Sequence, residues 1–268
     1  MVRRTLTALI LLAVLLPAVY FGGIPYFLLL SVFVGIATWE YAGMFQRRGF
    51  SPARSIAIPA VLLLLATRMF WPQASSVVFT IAILAAMAFH LWAYERGRDD
   101  AAVDLLITLG GITYLGWIAA YLLDLRLLPN GMWWLLLVLA TVWVADSAAY
   151  FVGVRLGRHQ MAVRLSPKKT WEGYAAGAFA GTAIGAILGS LMSRYGYLEL
   201  NVWAGGALGL VLSGLTTLGD LGESLFKRYA VIKDSGTFLP GHGGAFDRID
   251  SLIWAGVLGY YFIRLLLS

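Results

Sequence analysis

Between Asp220 and Asp250 a mostly apolar chain places nine charged side chains: the acids Asp220, Glu223, Asp234, Asp247 and Asp250, and the bases Lys227, Arg228, Lys233 and Arg248. Written as a helix, Asp220, Glu223 and Lys227 fall at i, i+3 and i+7 and share one face, with Ser224 and Arg228 beside them. Such a face could hold a divalent cation and phosphate together. A small hard cation takes one or two carboxylates and completes its shell with water and phosphate oxygens. The run 240–244, Pro-Gly-His-Gly-Gly, excludes regular structure. Its glycines permit positive φ and close backbone approach, which serves either a tight substrate loop around His242 or a hinge.

A second polar stretch holds Arg155, Arg158, His159, Arg164, Ser166, Lys168, Lys169, Thr170 and Glu172: five bases and one acid among its charged groups. It reads either as a phosphate cradle or as a basic loop that sets membrane topology. All four lysines of the chain lie in these two stretches. Asp146 sits deep in an apolar run, ~14 Å from its end at the helical rise. An acid at such a depth costs ~2.5–3.5 kcal/mol on insertion scales, so it belongs either to an interhelical hydrogen bond or to a site. Tyr150 and Gly153 follow it at i+4 and i+7.

The order Ser224-x2-Lys227-Arg228-x4-Lys233-Asp234-x-Gly236-x3-Pro240-x-His242-Gly-Gly-x2-Asp247-Arg248-x-Asp250 resembles the signature of the phosphatidate cytidylyltransferase (CDP-diacylglycerol synthase) family. Ser166-Pro-Lys168-Lys169-Thr170-Trp-Glu172-Gly and Trp143-Val-Ala-Asp146-Ser-x-Ala-Tyr150-x2-Gly153 are similar to runs of the same family. The resemblance spans roughly 143–251; the amino-terminal part matches only in being apolar, and Ala245 stands where a bulkier aliphatic residue is expected. It implies that CTP and phosphatidic acid give CDP-diacylglycerol and pyrophosphate, with Mg2+ required. On that footing Asp220 and Asp247 are expected as metal ligands, with Asp146, Glu223 and Asp250 as second candidates. Lys168, Lys169, Lys227, Arg228, Lys233 and Arg248 are expected on phosphates. His242 either donates to the departing pyrophosphate or bonds within its loop. Asp234, Ser166, Thr170, Glu172 and Ser224 complete the expected site.

The elements that must position these residues are membrane helices. Hydrophobic residues make up 60% and charged residues 13% of the 268, and the mean hydropathy is +0.79; soluble domains do not have this composition. Cysteine is absent, which excludes disulfides and thiolate metal sites. Apolar runs long enough, or nearly so, to cross ~30 Å of hydrocarbon recur at 5–21, 25–46, 55–71, 75–94, 103–125, 132–155, 173–193, 202–222 and 251–267. The fold class is therefore all-α, a polytopic membrane protein of about nine spans, because backbone groups in lipid must pair within their own segment. The short first and third runs are the marginal ones. The first has the basic start of a signal peptide but no small-x-small cleavage site after it. Residues 1–130 read as amino-terminal helices and 131–268 as a catalytic region whose loops, 156–172 and 223–250, form the site.

With nine spans, sixteen of the twenty Lys and Arg fall on the side of the amino terminus. That predicts a cytoplasmic amino terminus and a site facing the cytoplasm, in the inner cell membrane. The net charge of +6 comes without basic tracts interleaved with aromatics, so the partners are anionic lipid and anionic substrates, and not nucleic acid. Glu40, Asp104, Asp124, Glu199 and His90 lie near span ends and read as groups that pair or snorkel. Gly177, Gly181, Gly185 and Gly189 suit close helix packing or a homodimer face. One of Asp247 and Asp250 is expected to cap the last span.

Two other classes fit part of this pattern. A secondary transporter shares the intramembrane acids but calls for two matching halves, and no internal repeat is evident. A polyprenol kinase shares the basic loops and the metal but moves a γ-phosphate.

Overall fold

Apolar segments that cannot bond water must satisfy their own backbone, and in the computed structural model they do so as helices. The structure describes residues 2–239 and 243–267. The helices are α1 (Val2–Phe21), α2 (Gly23–Gln46), α3 (Arg54–Phe70), α4 (Ser75–Glu95), α5 (Ala101–Gly111), α6 (Tyr121–Leu127), α7 (Gly131–Leu156), α8 (Trp171–Arg194), α9 (Val202–Leu215), α10 (Thr217–Tyr229) and α11 (Phe246–Leu267). The one sheet among the described residues is an antiparallel hairpin of β1 (Gln160–Ala162) and β2 (Ser166–Thr170), with Gln160 opposite Thr170 and Ala162 opposite Ser166.

Seven helical segments among the described residues are long and apolar enough to cross a membrane, two fewer than the nine expected. Of the other two expected runs, the marginal ones of the sequence, α3 has 17 residues and α1 contributes the apolar stretch Leu9–Phe21. Ala101–Leu127 makes one span from α5, a π-helical stretch (Ile112–Ile118) and α6, and Val202–Tyr229 makes one from α9 and α10.

The chain forms two compact units, one of residues 1–124 and 226–249, the other of residues 125–225 and 250–268. Residues 226–249 group with the amino-terminal helices.

In the first unit α3 and α4 approach through small side chains, Ala57, Ala60, Ala82 and Ala86, around Leu64 and Ile112. At one end of α3, Thr67 meets Ser75 at 3.1 Å and Arg68 pairs with Asp124 at 2.9 Å. At the other, Ser51 N donates to Asp104 at 2.6 Å and Ala53 N to Thr108 Oγ1 at 3.0 Å. Short as it is, α3 thus runs from the end of α2 to the start of α4, about 25 Å at the helical rise. Arg98 also bonds Gly49 O at 2.7 Å. The acids Asp104 and Asp124 are therefore paired, as their positions near span ends suggested.

In the second unit α8 packs on α7 and α9 through buried Gly173, Gly177, Gly181, Gly185 and Gly189. A methyl group at Gly185 would lie 2.5 Å from Gly205 O and 2.9 Å from Gly209 Cα, so these two backbones touch directly. At Gly177 it would meet Ala145 O of α7 at 3.0 Å. The glycine face is thus used inside the chain.

Candidate active site

α10 brings the first acids together. A side chain at Gly219 would collide with Asp250 O and Trp254, so only glycine lets the start of α10 lie against α11. Asp220 and Glu223, one turn apart, then face Asp250, and carboxylate oxygens of all three lie within 4.8 Å of one another. Glu223 and Asp250 are buried, at 1% and 7% exposure; Asp220 is half-buried. Like charges about 4 Å apart repel by ~4 kcal/mol at an effective dielectric near 20, so the arrangement requires positive charge. Lys169 of β2 supplies one, paired with Asp220. Asp146 on α7 lies within electrostatic reach of both Lys169 and Asp220. The donors are all carboxylate oxygens, without imidazole or thiolate, which suits a small hard cation such as Mg2+.

The hairpin that carries Lys169 is itself held. Thr170 caps α8, its Oγ1 accepting from Gly173 N at 3.2 Å. A methyl group at Gly157 would strike Thr170 and the backbone of Gly153, so the turn out of α7 closes tightly. Glu172 accepts from Arg158 N at 3.1 Å, His159 N at 3.2 Å and His159 Nδ1 at 2.5 Å, tying the start of the connection to α8. Within β2, Ser166 is partly buried, Lys168 is exposed and Lys169 is half-buried.

Asp247 belongs to the first unit and Asp220 to the second. The three-carboxylate cluster consists of Asp220, Glu223 and Asp250, two of them second candidates on the sequence. Asp247 Oδ1 accepts from Lys227 Nζ at 2.6 Å. Its Oδ2 accepts from Ser235 N at 2.9 Å, Ser235 Oγ at 2.8 Å and Gly244 N at 2.8 Å, the last just ahead of α11. Ser224 is buried on α10, and Arg228, Lys233, Asp234 and Arg248 are exposed. His242 lies outside the described residues.

Sequence reasoning gave Glu40 no role beyond pairing. It is buried at 8% exposure and accepts from Ser235 Oγ at 3.0 Å, Ala245 N at 3.1 Å and Phe246 N at 2.9 Å. A carboxylate from α2 thus caps the positive end of α11. Side chains at Gly236 or Gly244 would overlap Glu40, which accounts for both glycines. Ala245 is fully buried beside it. The only sequence signal was that an acid inside an apolar run must find a partner.

Residues 2–266 match the model of the cytidylyltransferase family. The chain is 35% identical to a phosphatidate cytidylyltransferase of Brucella suis, over 97% of this chain and 92% of that protein. It is 32% identical to one of Synechocystis sp., over 99% and 97%, and 32% identical to one of Staphylococcus aureus, over 94% of each. The matched range takes in the amino-terminal helices, where the sequence pattern alone was silent, along with the rest of the chain to residue 266: the chain belongs to the cytidylyltransferase family.

Proposed function

We propose that the protein is an integral membrane nucleotidyltransferase that joins CTP to phosphatidic acid, forming CDP-diacylglycerol and pyrophosphate. The convergence of Asp220, Glu223 and Asp250 beside Lys169 carries this reading, in a chain similar along its length to proteins named phosphatidate cytidylyltransferase.

An oxygen of the lipid phosphate attacks the α-phosphorus of CTP. The bond from that phosphorus to the α,β-bridging oxygen breaks, and pyrophosphate leaves with the electron pair. The attacking phosphate is ionised at neutral pH, so no protein base is required. The difficulty is bringing two anions together, and positioning with charge neutralisation overcomes it. Asp220, Glu223 and Asp250 would hold Mg2+, with Asp146 beside them. Bound there, Mg2+ would neutralise phosphate charge and polarise the phosphorus centre.

Lys168, Lys169, Lys227, Arg228, Lys233 and Arg248 are the proposed phosphate contacts, and His242 a donor to pyrophosphate. Thr170 and Glu172 position the hairpin; Glu40 positions the loop that follows α10. The sequence pattern also proposes Asp247 as a metal ligand. Its Oδ1 is held by Lys227, so that role requires the lysine to let go.

We place the amino terminus and the site on the cytoplasmic side of the inner membrane. The excess of bases on that side supports this. So do contacts of the first unit that gather its basic connections at one end: Arg98 with Gly49 O, and Arg48 over the Tyr229 ring at 5.3 Å.

The test is purified protein in detergent with phosphatidic acid, Mg2+ and CTP labelled on the base or on the γ-phosphate. Base label that moves into the lipid, with equimolar pyrophosphate, is the expected result. Transfer of the γ-label would instead make the protein a lipid kinase, and solute flux in vesicles without chemistry would make it a transporter.

A further inference from the structure

Within the first unit, the start of α3, the end of α4 and the start of α5 border an open pocket of about 480 Å³ lined by Arg54, His90, Trp92, Arg96, Arg98 and Asp104. None of these residues has a part in the turnover proposed above.

The charge of the cavity is positive. Asp104 is neutralised by Arg98, whose Nε donates to it at 2.7 Å, and it also accepts from Ser51 N. Arg54 stacks on Trp39 at 4.0 Å and gives one bond to the Trp39 carbonyl, while its Nε is buried without a hydrogen-bond partner. Arg96 stacks on Trp92 at 3.9 Å and has no ion pair among the described residues. The first turn of α3, which also lines the cavity, adds the positive end of a helix.

His90 adds a selective element. It is 2% exposed, and its Nε2 lies 3.0 Å from Thr108 Oγ1. The single Thr108 proton goes to Asp104 O, and Thr108 Oγ1 already accepts from Ala53 N. Nε2 must therefore be the donor, which leaves Nδ1 with the lone pair. That atom is buried and has no hydrogen-bond partner. Buried polar atoms are ordinarily satisfied, and both of these belong to residues that line the pocket.

From these groups we infer that the cavity binds the phosphate of an anionic phospholipid, a phosphomonoester in preference to a diester. Two guanidinium groups and the helix end meet the charge. The lone pair of His90 accepts the proton that a phosphomonoester keeps on one oxygen near neutral pH and a diester lacks. Trp92 belongs also to the exposed face of α4 formed by Val77, Ile81, Leu84 and Leu91. Acyl chains can lie along that face, whereas free phosphate has no chains to place there.

The test uses the full-length protein in phosphatidylcholine nanodiscs doped with a diazirine-chain phosphatidate, phosphatidylglycerol or phosphatidylcholine, with labelled peptides mapped by mass spectrometry. Labelling of α4 around Leu91 and Trp92 is expected to be strongest with phosphatidate and at background with phosphatidylcholine. Arg96→Gln and Ser55→Glu, both at exposed positions, should each lower it about tenfold, the weight of one charged hydrogen bond. Equal labelling by all three lipids, or no change in either variant, overturns the site. Displacement by inorganic phosphate as readily as by dihexanoyl phosphatidate overturns the lipid assignment. CTP turnover of both variants should stay within about twofold of the parent, as for surface changes elsewhere, so failure of this site is distinguishable from failure of the proposed activity.

Discussion

The two units spend their acids in opposite ways. In the second, Asp220, Glu223 and Asp250 face one another, with Lys169 paired to Asp220. In the first, Glu40 and Asp247 are surrounded by donors: backbone amides, the Ser235 hydroxyl and Lys227. Acids crowded against acids mark a place where charge is to be brought in; acids encircled by amides mark a place where chain is to be held. On the proposed function, chemistry and scaffold separate by the company a carboxylate keeps, even though sequence spacing put both kinds in one signature.

The largest effect should come from breaking the crowded set. Asp220→Asn is expected to lower CTP turnover ~100- to 1000-fold, the scale on which removing one electrostatic contact at a reaction centre is felt, and to raise the Mg2+ concentration for half-activity. Glu223→Gln and Asp250→Asn should act in the same direction. The unloaded protein supplies the complementary sign: with chelator present, Asp250→Asn should melt higher than the parent, because one repelling charge is gone, and added Mg2+ should stabilise the parent more. An Asp220→Asn enzyme with normal turnover and normal Mg2+ dependence would dissolve the contrast between the units.

Next come the encircled acids. Glu40→Gln keeps the shape but loses charge at three hydrogen bonds, and a fall in stability of about 1.5–3 kcal/mol is expected, the worth of a charged hydrogen bond in a buried setting. Thermal unfolding and faster proteolysis between 230 and 245 would register it, with the Mg2+ requirement unmoved. Asp247→Asn should abolish most turnover. If its remaining activity needs no more Mg2+ than the parent, Asp247 acts as a brace for Lys227 and Ser235; if the requirement climbs as in Asp220→Asn, it ligates the metal.

The sequence held more of the helices than of their partners. Apolar run lengths marked every span, and the four-residue glycine spacing marked the tight face of α8, since both are properties of one segment. The break between α9 and α10 and the π-helical stretch before α6 left no such trace, because they arise where one helix accommodates another. The signature marked Asp220, Glu223, Asp247 and Asp250 alike. Which of them converge depends on how closely α10 approaches α11, and that is set by Gly219. Glu40 was legible only as an acid in need of a partner, for nothing local ties it to amides some two hundred positions away.

Helix packing in the second unit offers a smaller test. Gly185→Ala places a methyl group against Gly205 O and Gly209 Cα, and ~1–3 kcal/mol of destabilisation is expected from overpacking. The loss should appear in thermal unfolding and leave the Mg2+ requirement alone, because α8 and α9 supply none of the clustered carboxylates.

The smallest effect should follow from Glu172→Gln. Glu172 is encircled by donors like Glu40, but the His159 side chain beside it is 77% exposed, so water and salt already do much of the work of the pair. A glutamine oxygen can still accept from Arg158 N and His159 N. What is lost is charge, and with it part of the restraint on the hairpin that presents Lys169. The Michaelis constant for CTP should therefore rise modestly at low ionic strength, kcat should hold, and the difference should fade as salt is added. A large loss of kcat that salt does not diminish would mean that the hairpin is held by this one carboxylate, and that an exposed acid can brace the site as firmly as the buried Glu40.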